Sequence, residues 1–107
     1  DTVAAVSGSG PAYFFLFMEA MQDAAKELGL SEELAKQLVY QTASGAADLA
    51  IQSKDTIAEL RRKVTSPGGT TERAINTFEA GEIRKLVNSA LVDAKKRSIE
   101  LSKEMKS

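Results

Sequence analysis

The chain contains neither cysteine nor histidine in its 107 residues. That absence removes disulfides, thiol nucleophiles, imidazole bases, Ser-His-Asp triads and the commonest zinc ligands together. No metal site is expected, and any chemistry must rest on other groups. An excess of positive charge is missing too. With 14 basic and 15 acidic residues the formal net charge is −1, so no field draws in a phosphate backbone or an anionic membrane surface. The most apolar window, Pro11 to Met21, is about half of the roughly 20 residues a membrane helix needs, and Glu19 lies inside it. The sequence predicts no partnership with nucleic acid and no membrane span. The chain opens on Asp1 rather than Met, without a basic and apolar leader, and is expected to be a segment of something longer.

What is present is helix periodicity. Alternating polar and apolar positions, the mark of a half-buried strand, are scarce. With 43% hydrophobic residues the chain can build a core without staples, and residues 1–107 read as one all-α domain of five helices. Asp1 to Gly10 is a small-residue opening that leads into a first helix near Pro11, where a missing N–H costs nothing. That helix is expected to stop near Gly29. From Ala12 to Met21 it is apolar on nearly every side, so it must be covered on all sides, and one chain of this size has little mass to do so. Ser31 caps a second helix with Glu32 and Glu33 in its first turn. This helix runs to about Ser53 with Leu34, Leu38, Ala46, Leu49 and Ala50 on a broad apolar stripe, and the small cluster Ala43 to Ala47 lets another helix come close.

A third, short helix begins at Asp55 or Thr56, where Thr56 and Glu59 have capping-box spacing, and ends before Pro67. A fourth is expected to be capped by Thr70 or Thr71 and to stop at Gly81. The last runs from Glu82 to near the end with Ile83, Val87, Ala90, Leu91, Ala94, Leu101 and Met105 on one side. It is a rod of about 36 Å, and part of its apolar face is expected to rest on another chain.

Two segments invite a ligand. Gly8-Ser9-Gly10-Pro11 resembles a dinucleotide fingerprint only superficially, since Tyr13 stands where the third glycine belongs and little strand precedes it; it reads as a small-residue loop. The stronger break, Thr65-Ser66-Pro67-Gly68-Gly69-Thr70-Thr71, combines two glycines, hydroxyl side chains and the unpaired N–H groups of the next helix. It is either a cup for a small anion or a plain capped turn, and it lacks the lysine of a phosphate-binding P-loop. Glu19 reads as an interface polar group, Tyr13, Phe14, Phe15 and Phe17 as core or dimer packing, and Lys95-Lys96-Arg97 as a solvated charged face.

Ser7-Gly8-Ser9-Gly10-Pro11-Ala12-Tyr13, then Glu19-Ala20 and Gly29-Leu30, resemble the opening of the second domain in pyrroline-5-carboxylate reductases. Val64-Thr65-Ser66-Pro67-Gly68-Gly69-Thr70-Thr71 is similar to that family's signature loop, and Glu79-Ala80-Gly81-Glu82-Ile83-Arg84 also fits. The resemblance implies the C-terminal dimerisation and substrate-binding domain of a cytoplasmic enzyme that reduces 1-pyrroline-5-carboxylate to L-proline with NAD(P)H. It implies that the cofactor-binding Rossmann domain lies outside this chain, that no cofactor contact falls within it, and that the fragment alone is inactive. Two copies would interleave their helices as a homodimer, which in some members assembles into larger rings. The substrate carboxylate would be held by the Ser66 hydroxyl and N–H groups around Gly68, Gly69 and Thr70. Thr71 would meet the ring nitrogen as the catalytic group, and Val64, Gly10 and Pro11 would line the pocket wall. A helical scaffold module without a ligand is the main rival reading. A helix-turn-helix DNA binder is a weaker one, opposed by the charge balance.

Overall fold

A computed structural model describes residues 1–106. Among the described residues there are five α-helices and no strand: α1 Gly10–Glu27, α2 Glu32–Gln52, α3 Ile57–Lys63, α4 Thr70–Ala80 and α5 Ile83–Lys106. No helix among them is long and apolar enough to cross a membrane. The all-α expectation holds, and contacts divide the chain into two compact units, Phe14–Gly69 and the remainder.

In the Phe14–Gly69 unit the helix boundaries follow from side-chain and backbone chemistry. Gly29 has φ 109° and ends α1: its N–H donates to Lys26 O at 3.0 Å, and Leu30 N–H reaches back to Ala25 O at 3.1 Å. Both bonds satisfy carbonyls that the helix leaves open. The Ser31 hydroxyl accepts from Leu34 N–H at 3.2 Å and caps α2. Thr56 and Glu59 form the expected capping box at the start of α3, and Lys63 pairs with Asp55. Arg61, Arg62 and Lys63 crowd the last turn of α3, where the negative end of the helix dipole favours cations. Only Ala35 and Val39 are buried apolar residues in this unit, while Phe14, Phe15 and Leu16 are each about two-thirds exposed or more, at 72%, 67% and 66%. Much of an apolar helix is thus left exposed.

The other unit differs from expectation at its beginning. Asp1 to Gly10 reads in the sequence as a small-residue opening without assigned structure, yet Ala4–Gly8 forms a π-helix that precedes α1. Ser9 N–H donates to Ala4 O at 2.9 Å, one residue further back than in an α-helix. Three longer-range features hold this rare geometry. The Tyr13 hydroxyl donates to Ala5 O at 2.7 Å, the Ser98 hydroxyl donates to the Asp1 carboxylate at 3.1 Å, and α5 packs along the segment. Ala5 is buried there. Helix α4 starts at Thr70, so Thr70 and Thr71 lie inside its first turn; neither is the cap that was expected.

Candidate functional site

The chain leaves α3 through Val64, whose φ of −101° and ψ of 10° end the helix. Thr65 then turns tighter than the helix. Its N–H donates to Arg62 O at 3.1 Å, three residues back, while its hydroxyl donates to Arg61 O at 2.6 Å, four residues back. The side chain thereby takes the carbonyl that its own amide would have taken in a continuing helix.

Ser66-Pro67-Gly68-Gly69 follows as a tight turn. Gly69 N–H donates to Ser66 O at 3.0 Å, and Gly68 has φ 76°. Proline second and a left-handed glycine third are the marks of a type II turn. Each glycine has its own reason to be there. Gly68 takes a backbone conformation costly to other residues. At Gly69 a Cβ would come within 3.2 Å of Ser66 O and 3.7 Å of Ser66 Cβ. Thr70 and Thr71 come next in sequence and open α4, with the acidic Glu72 in the same first turn.

The expected site residues fall into two groups. Val64, Ser66, Gly68 and Gly69 lie in the Phe14–Gly69 unit; Thr70, Thr71, Gly10 and Pro11 lie in the other. Gly10 is buried at the start of α1 and Pro11 beside it is exposed. Ser66, Thr70 and Thr71 are exposed, and no hydrogen bond among the described residues engages their hydroxyls. The Gly69 amide, expected to face a carboxylate, is occupied by the Ser66 carbonyl. In the first unit the Ser66 hydroxyl remains as a donor; in the other the amides of Thr70 and Thr71 have no partners within α4. Glu72 tempers their pull, because its carboxylate already answers the positive end of the helix dipole.

Thr65 is the functional candidate that sequence reasoning passed over. Its signal was a hydroxyl residue four positions after Arg61 at a helix end. Glu19, Phe15, Met18, Gln22 and Tyr40 line an open cleft of about 390 Å³, where Glu19 is exposed. Nearby, in the same unit, Phe14, Phe17, Met21, Val39, Ala43, Ala46 and Ile57 are among the residues around an apolar groove of about 710 Å³. Small residues of α2, Ala43 and Ala46 among them, line it. Among the described residues no group of acidic side chains is placed to hold a metal ion.

A family model described as "Pyrroline-5-carboxylate reductase dimerisation" matches residues 1–101. A pyrroline-5-carboxylate reductase of Pseudomonas aeruginosa is 57% identical over 105 residues, covering 98% of this chain and 38% of the relative. Pyrroline-5-carboxylate reductase 2 of Bacillus subtilis is 39% identical over 104 residues, 97% of this chain and 37% of its own length. The chain thus spans about two-fifths of the length of the curated relatives it matches. Among solved structures, a pyrroline-5-carboxylate reductase from Coxiella burnetii superposes with a TM-score of 0.91 at 52% identity, covering 94% of this chain and 37% of that one. A Plasmodium falciparum pyrroline carboxylate reductase with NADP bound superposes with a TM-score of 0.89 at 37% identity, covering 92% and 37%.

Proposed function

The chain belongs to the pyrroline-5-carboxylate reductase dimerisation family, and from that membership we propose that it is the C-terminal dimerisation and substrate-binding domain of such a reductase. The whole enzyme reduces the C=N bond of 1-pyrroline-5-carboxylate with NAD(P)H and releases L-proline in the cytoplasm. The hydride donor sits on a nucleotide-binding domain outside residues 1–107. Two copies of this domain pair through the apolar faces of α1 and α2, which one chain leaves open.

The observation that carries the reading is the Ser66–Gly69 turn, followed in sequence by the first turn of α4. The turn removes Cβ atoms where a ligand approaches, and α4 supplies amides without helical partners. The Ser66 hydroxyl and the Thr70 and Thr71 amides bind the substrate carboxylate, with Gly68 and Gly69 shaping the approach. The Thr71 hydroxyl meets the ring nitrogen. Val64, Gly10 and Pro11 contribute wall. Nothing in this loop can act as a strong acid or base, so catalysis rests on holding the imine carbon against the nicotinamide and keeping the nitrogen hydrogen-bonded as it gains its proton.

The test compares the full-length reductase with residues 1–107 alone. The full-length protein is expected to oxidise NAD(P)H in the presence of 1-pyrroline-5-carboxylate, and the fragment to do so at no cofactor concentration. Imine-dependent oxidation by purified fragment would refute the placement of the cofactor.

A further inference from the structure

We propose that Thr65 is a positioning residue whose hydroxyl, bonded to the Arg61 carbonyl, sets the direction in which the Ser66–Gly69 turn leaves α3. The proposal rests on the reading that this loop receives the substrate carboxylate. From Ser66 onward the loop has little freedom. Pro67 fixes its own φ and keeps Ser66 extended, and the 3.0 Å bond from Gly69 N–H to Ser66 O closes the turn. Ser66, Pro67, Gly68 and Gly69 therefore move together, and the joint that aims them is Thr65.

That joint is clamped twice on one residue. The amide of Thr65 is diverted to Arg62 O at 3.1 Å, which frees the Arg61 carbonyl for the hydroxyl at 2.6 Å. Thr65 is half-buried, so losing the hydroxyl leaves a carbonyl only partly open to water. With the hydroxyl bond gone, only the amide bond to Arg62 O holds Thr65 to α3, and the Ser66 hydroxyl shifts with the residue before it. Thr65 needs no contact with the ligand to act in this way. It works through Ser66, and its effect falls on binding made before and during the reaction alike.

Thr65→Val keeps the shape and removes the hydroxyl; Thr65→Ser keeps the hydroxyl and removes the methyl. In the full-length reductase Thr65→Val is expected to raise the KM for 1-pyrroline-5-carboxylate by about tenfold, as a small misplacement of a binding group does. kcat and the KM for NAD(P)H should stay near the parent values, and Thr65→Ser should restore the imine KM. Thr65→Ala serves as a second hydroxyl-free variant should the valine protein fail to fold. Parent-like imine KM in the valine or alanine protein, or equal damage in the serine protein, would overturn the proposal. So would loss of the fold in both hydroxyl-free variants, because the bond would then hold the fold and not the loop. Ser66→Ala measured in parallel separates the two layers of argument. If it also leaves the imine KM unchanged, the carboxylate reading of the loop fails; if it alone raises that KM, only the role of Thr65 does.

Discussion

Arg84 grips Glu79 with two donors: its Nε reaches Oε1 at 2.9 Å and its Nη2 reaches Oε2 at 3.0 Å. The pair spans the corner between α4 and α5, where Glu82 stands in a left-handed conformation at φ 59°. The hydrogen bonds that Arg84 donates to Glu79, and after them the carboxylate's charge, raise the Arg84 pKa above its ordinary value. A folded-state pKa raised in this way stabilises the fold below the unfolded value and loses that contribution only as pH climbs past the folded one. The guanidinium side of the pair is therefore constant from neutral to moderately alkaline pH. Thermal unfolding of Arg84→Gln should show the same small deficit at pH 7 and pH 9, and a smaller one in high salt, which screens exposed pairs. A deficit that grew between those two pH values would count against this origin.

Glu82 itself carries strain. A left-handed non-glycine residue costs about 1–2 kcal/mol, against which glycine's extra freedom in the unfolded chain costs roughly 0.5–1 kcal/mol. Glu82→Gly should accordingly stabilise by about 0.5–1 kcal/mol, a rise of a few degrees in Tm for a domain of this size. An unchanged or lowered Tm would mean that the Glu82 side chain contributes something the strain estimate omits.

The same corner shows what sequence reasoning can and cannot reach. Gly81 marked the end of α4 correctly, yet the left-handed residue is its neighbour Glu82: Gly81 N–H still donates to Thr77 O at 3.1 Å as in a helix, and Glu82 N–H turns back to Glu79 O at 3.0 Å. Ser31, the Thr56–Glu59 box and Gly29 were legible because a cap is a contact among residues three or four apart, and its chemistry is written in their identities. The opening segment was not. Its π-helix depends on Tyr13 eight residues on and on Ser98 far along the chain, and small residues alone do not announce such partners. In the loop, Pro67-Gly68 spelled out the turn. The hydroxyl anchor at Thr65 was not legible, because it depends on how α3 unwinds.

The two loop glycines are expected to respond differently to alanine. Gly68→Ala forces a Cβ into the left-handed region at φ 76°, at a cost of about 1–2 kcal/mol. Gly69→Ala meets no such backbone penalty, but its Cβ would press on Ser66 O from 3.2 Å and loosen the bond that closes the turn. Thermal unfolding should show the larger loss in Gly68→Ala, and kinetics of the full-length reductase should show a raised imine KM in Gly69→Ala. The opposite order of stabilities would mean that the turn relaxes around residue 68 and not residue 69.

Assembly follows from the uncovered helix. Phe14, Phe15 and Leu16 are mostly exposed in one chain, more apolar surface than a soluble monomer ordinarily leaves in one stretch. Residues 1–107 should sediment as a homodimer that buries more than about 2,000 Å² in total, as obligate interfaces do. Phe14→Asp or Phe17→Asp should then give unfolded or insoluble protein, because the folded chain has no stable life outside the pair. A folded monomer at micromolar concentration would refute this.

The sharpest functional expectation separates Ser66 from Thr71. Both hydroxyls are exposed and unengaged among the described residues, and they are proposed to meet different parts of the substrate. The carboxylate carries the same charge in substrate, transition state and product, so a hydroxyl bound to it contributes equally at each stage. Ser66→Ala should raise the KM for 1-pyrroline-5-carboxylate by about five- to tenfold, the worth of one hydrogen bond to a charged group, with kcat little changed. The ring nitrogen changes its bonding as a hydride arrives, so the proposed Thr71 contact would strengthen along the reaction coordinate. Thr71→Ala should lower kcat by about tenfold or more while moving KM less, and Thr71→Ser should recover most of the loss by restoring the hydroxyl. Steady-state kinetics on the full-length reductase decide the matter. If the two alanine variants exchanged these signatures, with Ser66 controlling turnover and Thr71 controlling KM, the substrate would lie in the loop the other way round. Wild-type kinetics in both would leave Ser66–Thr71 a capped turn with no ligand.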